Sequence, residues 1–119
     1  MKGQVLIVDD DAAIREVLSL ILTAEGYRVE AAKSGIEALS HLTGGHRPCL
    51  MLLDLRMPEM DGWELRRAQL EVPEWASIPV VVLSGDRDAR EVAEAMNAQG
   101  YLLKPVELDD VLSIVRQYC

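Results

Sequence analysis

Four apolar runs, each ending on a polar residue, constrain this chain more than any other feature. Val5, Leu6, Ile7 and Val8 run into Asp9, Asp10 and Asp11, and Leu50, Met51, Leu52 and Leu53 run into Asp54. Val80, Val81, Val82 and Leu83 run into Ser84, and Tyr101, Leu102 and Leu103 run into Lys104 and Pro105. Such runs, rich in β-branched residues and separated by helix-length amphipathic stretches, read as parallel strands buried on both faces. In an open parallel sheet the ligand crevice lies at the carboxyl ends of the strands. Carboxylates, a hydroxyl and an ammonium are therefore expected to meet at one rim.

The stretches between the runs carry helical periodicity. Ile14, Val17, Leu18 and Ile21 recur at i, i+3, i+4 and i+7, with Gly26 as a left-handed stop. Tyr27 to Ala31 reads as a short second strand, and Ser34 with Glu37 reads as a capping box opening a helix that ends near Thr43. After Asp54, Pro58 blocks immediate helix formation and Asp61 can cap a helix from Gly62 to about Leu70. Ala89, Val92, Ala93 and Met96 form a further stripe stopped at Asn97, and Leu108, Val111, Leu112 and Val115 form the last. Alternating strands and helices with right-handed crossovers imply an α/β, doubly wound, flavodoxin-like fold. Its sheet would be parallel and five-stranded, in the order 2-1-3-4-5, with helices on both faces. That order sets the first and third strands side by side, so Asp9, Asp10 and Asp54 should cluster at the switch point.

Such a cluster needs an opposite charge, since two carboxylates about 4 Å apart repel by about 4 kcal/mol at an effective dielectric typical of a protein surface. Mg²⁺ suits it, because that ion takes carboxylate, carbonyl and water oxygens and recruits phosphate to complete its octahedron. Lys104 adds a compact positive charge and Ser84 a hydroxyl donor. Together they describe a site that stabilises a phosphoryl group, with a carboxylate as nucleophile.

Composition narrows the partners. The 119 residues, half of them hydrophobic, suffice for one domain spanning positions 1–119. Asp plus Glu outnumber Lys plus Arg by 20 to 12, a net charge of -8 that argues against nucleic acid and anionic membranes as partners. Cys49 and Cys119 lack metal-type spacing, and no apolar stretch has membrane-spanning length or signal-segment character. A reduced, cytoplasmic setting is the expectation.

Taken as a set, these residues resemble the receiver domains of two-component response regulators, of the chemotaxis-regulator type. Asp9 and Asp10 match the acidic pair, Asp54 the phosphoacceptor, and Met57 to Gly62 the loop that follows it. Ser84 matches the switch hydroxyl, Tyr101 the switch aromatic, and Lys104 with Pro105 the Lys-Pro pair. The resemblance spans the whole chain. It implies that Asp54 takes a phosphoryl group from a phosphohistidine on a sensor histidine kinase or histidine phosphotransfer protein. A conformational switch would then signal to a downstream effector protein. It further implies that Asp10, Asp54 and the backbone carbonyl of Arg56 ligate Mg²⁺, with Asp9 acting through water. Lys104 would pair with one phosphoryl oxygen, Ser84 would swing to bond another, and Tyr101 would turn inward behind it. The Lys104-Pro105 peptide bond would be cis. The chain would act as a signalling phosphoacceptor that promotes its own phosphorylation and dephosphorylation, and not as an enzyme with a separate substrate. Asn97 departs from the glycine usual before the fifth strand, yet asparagine tolerates the same left-handed conformation.

Plainer roles compete with these. Asp11 is expected only to cap the first helix, and Asp86 to cap the helix after Ser84. Trp63 and Trp75 are expected to pack, and His41 and His46 to be solvated. Asp9 and Asp11 also fit the D-x-D of haloacid-dehalogenase-like phosphatases, with Asp9 as nucleophile. Against that, Ala13 stands where that motif has Thr or Val, and Asp109 and Asp110 fall inside a helix. A receiver-like module that binds partners without phosphorylation is a third alternative, disfavoured by the complete acidic pair, phosphoacceptor, hydroxyl and lysine. Ile14, beside the acidic rim, is the candidate contact for a protein donor. Arg56 and Asp86, each two residues past a site residue, are the candidate gate over the phosphoryl group.

Overall fold

The computed structural model describes residues 2–119. Five strands, β1 (Gln4–Val8), β2 (Arg28–Ala32), β3 (Leu50–Asp54), β4 (Val80–Ser84) and β5 (Gly100–Leu103), form one parallel sheet in the order β2-β1-β3-β4-β5. Among the described residues, six helices connect and complete them: α1 (Ala12–Ala24), α2 (Gly35–Thr43), α3 (Gly62–Leu70), α4 (Pro73–Ala76), α5 (Ala89–Ala95) and α6 (Leu108–Tyr118). The expected doubly wound architecture is thus observed. The second strand begins at Arg28 instead of Tyr27, whose ring is buried below the sheet's start.

Strand alternation sorts the core into two layers. Leu6, Val8, Met51, Leu53, Val80 and Val82 point to one face and pack against α2, α3, α4 and α5 through Leu42, Leu65, Trp75 and Ala93. Val5, Ile7, Leu50, Leu52, Val81 and Leu83 point to the other, where Leu18 and Leu22 of α1 meet Val111 and Val115 of α6. Because β1, β3 and β4 are covered on both sides, every residue of β3 and β4 is buried, which explains their unbroken apolar sequence.

The helix ends follow their local chemistry. Asp11 accepts hydrogen bonds from the backbone amides of Ala13 (2.9 Å) and Ile14 (3.4 Å), opening α1 as expected. Gly26, at φ 94°, turns the chain out of α1, and Asn97, at φ 55°, does the same after α5. The Ser34 hydroxyl accepts from the Glu37 amide, but the Glu37 carboxylate receives the amide of Lys33, not of Ser34, so that box is only half built. The complete capping box lies at Asp61 and Glu64.

Three features of the packing were not anticipated. The short helix α4, opened by Pro73, bridges α3 to β4. Arg66 and Gln69, both buried on α3, form a polar plug beneath the α5 layer. The Arg66 guanidinium donates to the carbonyls of Met96 and Asn97 and to Gln69 Oε1, while the Gln69 amide donates to the carbonyls of Trp75 and Ile78. Burial pulls the Arg66 pKa below its usual value, and its three hydrogen bonds offset part of the desolvation. Finally, Cys49 and Cys119 are joined as a disulfide, with Cα atoms 5.5 Å apart. The pairing runs against the expected reduced setting and removes the cysteine argument for it. Among the described residues, no helix is long and apolar enough to cross a membrane.

Candidate functional site

Register alone assembles the rim. Val8 pairs with Leu53 across β1 and β3, so Asp9 emerges level with Asp54. Asp54 pairs with Leu83, and Ser84 with Leu103, which brings Asp54, Ser84 and Lys104 to the same edge. A hydrogen bond from the Lys104 amide to the Ser84 carbonyl (2.8 Å) continues the ladder one step past β5. The next peptide bond, Lys104-Pro105, is cis.

Asp9, Asp10 and Asp54 each offer a carboxylate oxygen, all within 4.8 Å of one another. Asp9 and Asp54 are buried and Asp10 is exposed, so the cluster opens to solvent on one side. Lys104 Nζ lies 2.9 Å from Asp9 Oδ2 and 3.3 Å from Asp54 Oδ1. Asp9 Oδ1 accepts the Asp11 amide, and the Arg15 guanidinium donates to the Asp9 carbonyl, which fixes the β1–α1 turn. Asp9 Oδ2 has charge contact with Lys104 but no aligned hydrogen bond. At 2.9 Å the contact is a close ion pair whose geometry is off the hydrogen-bond axis.

Electrostatics single out Asp54. Burial first, and the Asp9 charge second, push its pKa from 3.8 up to about 6, against the opposing pull of Lys104. For Lys104, burial acts downward, yet the close Asp9 contact and the Asp54 and Asp9 charges outweigh it and hold the ammonium above its usual pKa. One ammonium therefore serves two buried carboxylates. The surplus negative charge and the all-oxygen donor set suit a hard divalent cation such as Mg²⁺, and the unaligned Asp9 Oδ2 is one more oxygen that such a cation's water shell can use.

The loop after β3 closes the site from one side. Gly62, the first residue of α3, sits so close to the end of β3 that a Cβ there would lie 2.7 Å from the Asp54 carbonyl oxygen and 2.9 Å from Leu55 Cα. Only glycine lets α3 start against the phosphoacceptor candidate. Glu59 turns the intervening loop at φ 67°.

The mouth carries a charged clasp. Arg56 meets Asp86 Oδ2 through Nη2 (2.6 Å) and Nε (2.9 Å), a two-point contact between an exposed arginine and a half-buried aspartate. Asp86 is not the cap of α5, as had been expected. That position belongs to Asp88, which makes no side-chain cap bond, while the Asp86 carboxylate is occupied by Arg56. The buried Ser84 hydroxyl accepts the Asp86 amide (3.0 Å), so it faces the turn. Tyr101 lies on β5 and is 37% exposed. Asp10, Arg56, Met57, Trp63, Asp86 and Asp88 border an open cleft of about 630 Å³ above the site. Trp63 thus lies at the mouth, a placement its sequence context had not signalled. Trp75 packs into the core, and His41 lies far along α2, 3.9 Å from Glu30. Asp109 and Asp110 occupy the first turn of α6, away from any strand end.

Residues 5–116 match the family model of the response regulator receiver domain. The chain is 31% identical to sporulation initiation phosphotransferase F of Bacillus subtilis over 118 residues, covering 99% of this chain and 94% of that protein. It is 36% identical to response regulator MprA of Mycobacterium over 98% of its own length, but spans only 50% of that regulator. Among solved structures, the chemotaxis protein CheY4 of Vibrio cholerae superposes with a TM-score of 0.90 at 29% identity, covering all of both chains.

Proposed function

From the premise that this chain belongs to the response regulator receiver domains of two-component signalling, we propose that Asp54 is its phosphoacceptor. The single observation that carries the reading is Asp54 itself: a carboxylate at the end of β3, level with the Asp9 and Asp10 pair and 3.3 Å from Lys104 Nζ. The family match extends to residue 116, so positions 1–119 are read as one receiver unit.

Asp10, Asp54 and the Arg56 carbonyl would hold Mg²⁺, with Asp9 reaching it through water. When bound, the cation neutralises the carboxylates and orients phosphoryl oxygens. An Asp54 oxygen attacks the phosphorus of a phosphohistidine. The O–P bond forms as the N–P bond breaks, and the imidazole leaves with its electron pair and takes up a proton. Lys104 then exchanges its Asp54 contact for a phosphoryl oxygen. Ser84 gives up the Asp86 amide and turns its hydroxyl to the new anion, and Tyr101 follows inward. Loss of the phosphoryl group to water, with the Arg56 and Asp86 clasp restricting access, resets the site. The chain acts on itself as a signalling phosphoacceptor and not on a separate substrate. Its donor is a sensor histidine kinase or histidine phosphotransfer protein, its readout a downstream effector, and its setting the cytoplasm, where phosphohistidine donors are charged. Ile14, on the apolar groove between α1 and α6 near Lys104, is the donor contact.

Site mapping separates this reading from the phosphatase-like one. Protein treated with acetyl phosphate and Mg²⁺, reduced with borohydride and digested, should carry its label in the peptide containing Asp54. A label on Asp9 would overturn the proposal.

A further inference from the structure

Cys49 and Cys119, the chain's only cysteines, meet at the end of the sheet opposite the acidic rim. Cys49 directly precedes β3, whose far end is Asp54, and Cys119 is the C-cap of α6. Cα atoms 5.5 Å apart are within reach of a bridge with no backbone movement. The two residues differ in exposure: Cys119 is exposed, whereas Cys49 is half-buried beside Gly3 and the Gln4 carbonyl.

The neighbourhood gives the bond something to do. α6 is amphipathic and seals one sheet face through Val111 and Val115, but Arg116 and Gln117 in its last turn are exposed. Val115 and Tyr118 pack on the core, and the Cys119 amide bonds the Val115 carbonyl; the polar side chains of that turn add, among the described residues, one ion pair, exposed Arg116 to half-buried Glu25 at 3.9 Å. Pairs of this kind contribute little. The sulfur bridge therefore adds a covalent tie to the packing of Val115 and Tyr118 at the α6 carboxyl end.

We propose that Cys49 and Cys119 form a reversible thiol–disulfide latch that fastens the last turn of α6 to the sheet without touching the phosphorylation site. In closing, the exposed Cys119 thiolate attacks a low-molecular-weight disulfide such as oxidised glutathione, forming a mixed disulfide and releasing one thiolate. The Cys49 thiolate then attacks the Cys119 sulfur and expels the second. Two protein thiols are oxidised as one small disulfide is reduced to two thiols, and a reducing thiol reverses both steps. A disulfide between partly accessible sulfurs in a thiol-rich compartment is expected to be of this transient type.

Thiol counting and hydrogen exchange on the folded protein test the latch. After incubation in glutathione buffers of graded poise, maleimide should modify two cysteines at the reducing end and none at the oxidising end, reversibly and without dimers. The Cys49→Ser variant should accumulate a glutathione adduct on Cys119, while Cys119→Ser, with only the recessed thiol, reacts more slowly. Amides of residues 115–118 should exchange about tenfold more slowly when oxidised, as expected for a tied helix end, and the stabilisation by Mg²⁺ should match in both forms. Intermolecular dimers, stable adducts on the wild type, a bond that resists reduction until the protein unfolds, or identical exchange in the two states would each overturn the proposal.

Discussion

Replacing Asp54 with Asn should stabilise the metal-free protein at neutral pH. The folded-state pKa of Asp54 is pushed from 3.8 to about 6, mainly by burial and then by Asp9. Between those values the folded chain keeps a proton that the unfolded chain has released. Folding stability from this group is therefore full below about pH 4, falls as pH rises through 6, and is flat above 7. A difference of about 2 units corresponds to about 3 kcal/mol at neutral pH. Asn removes the charge while keeping shape, and the loss of the Lys104 attraction is already contained in that difference, so the net gain should be about 1 to 3 kcal/mol. For a chain of this size the melting temperature should rise by about 3 to 10 °C. Thermal unfolding followed by circular dichroism, in chelator, from about pH 4 to pH 8, measures it directly. The two proteins should melt together at the acidic end and separate as pH rises, since all other titrating groups are shared. A wild type as stable as the variant at neutral pH, or a gap independent of pH, would refute the account of a desolvated, repelled carboxylate.

Other outcomes follow from the same geometry. Mg²⁺ at a hundredfold its dissociation constant should stabilise the fold by about 2.7 kcal/mol, and Asp10→Ala should abolish that response; equal responses in a melt would contradict the cation assignment. Gly62→Ala should cost about 1 to 3 kcal/mol, because its Cβ would press on backbone atoms of Asp54 and Leu55; denaturant titration reports it. Arg56→Ala and Asp86→Ala should each change the lifetime of the phosphorylated form by about two- to fivefold, the range an exposed ion pair can supply. Decay measured across the double-mutant cycle should be non-multiplicative if the clasp acts as one unit.

The rim was legible because its signals are local. A strand buried on both faces must be continuously apolar, so the polar residue that ends it stands out, as Asp54 and Ser84 do. Parallel topology then places all such ends at one edge. What escaped notice depends on distant partners. Arg66 and Gln69 look like solvated helix positions, because the carbonyls that satisfy them come from the α5 turn and the α4–β4 connection. Cys49 and Cys119 are 70 positions apart and carry no local mark of pairing. Asp86 resembled a cap until the chain brought Arg56, 30 positions earlier, over it. Ser34 and Glu37 have the right spacing for a reciprocal box, yet Glu37 bonds Lys33, a choice that spacing alone does not determine.

The central claim is transfer of a phosphoryl group from nitrogen to Asp54. Phosphoramidate, whose P–N bond mimics that of phosphohistidine, supplies the donor chemistry with no partner protein. Intact-mass analysis of the wild type with phosphoramidate and Mg²⁺ should show a single phosphoryl adduct, absent in chelator and absent in Asp54→Asn. A full adduct on the Asp54→Asn variant, or none on a folded, Mg²⁺-responsive wild type, would contradict the account.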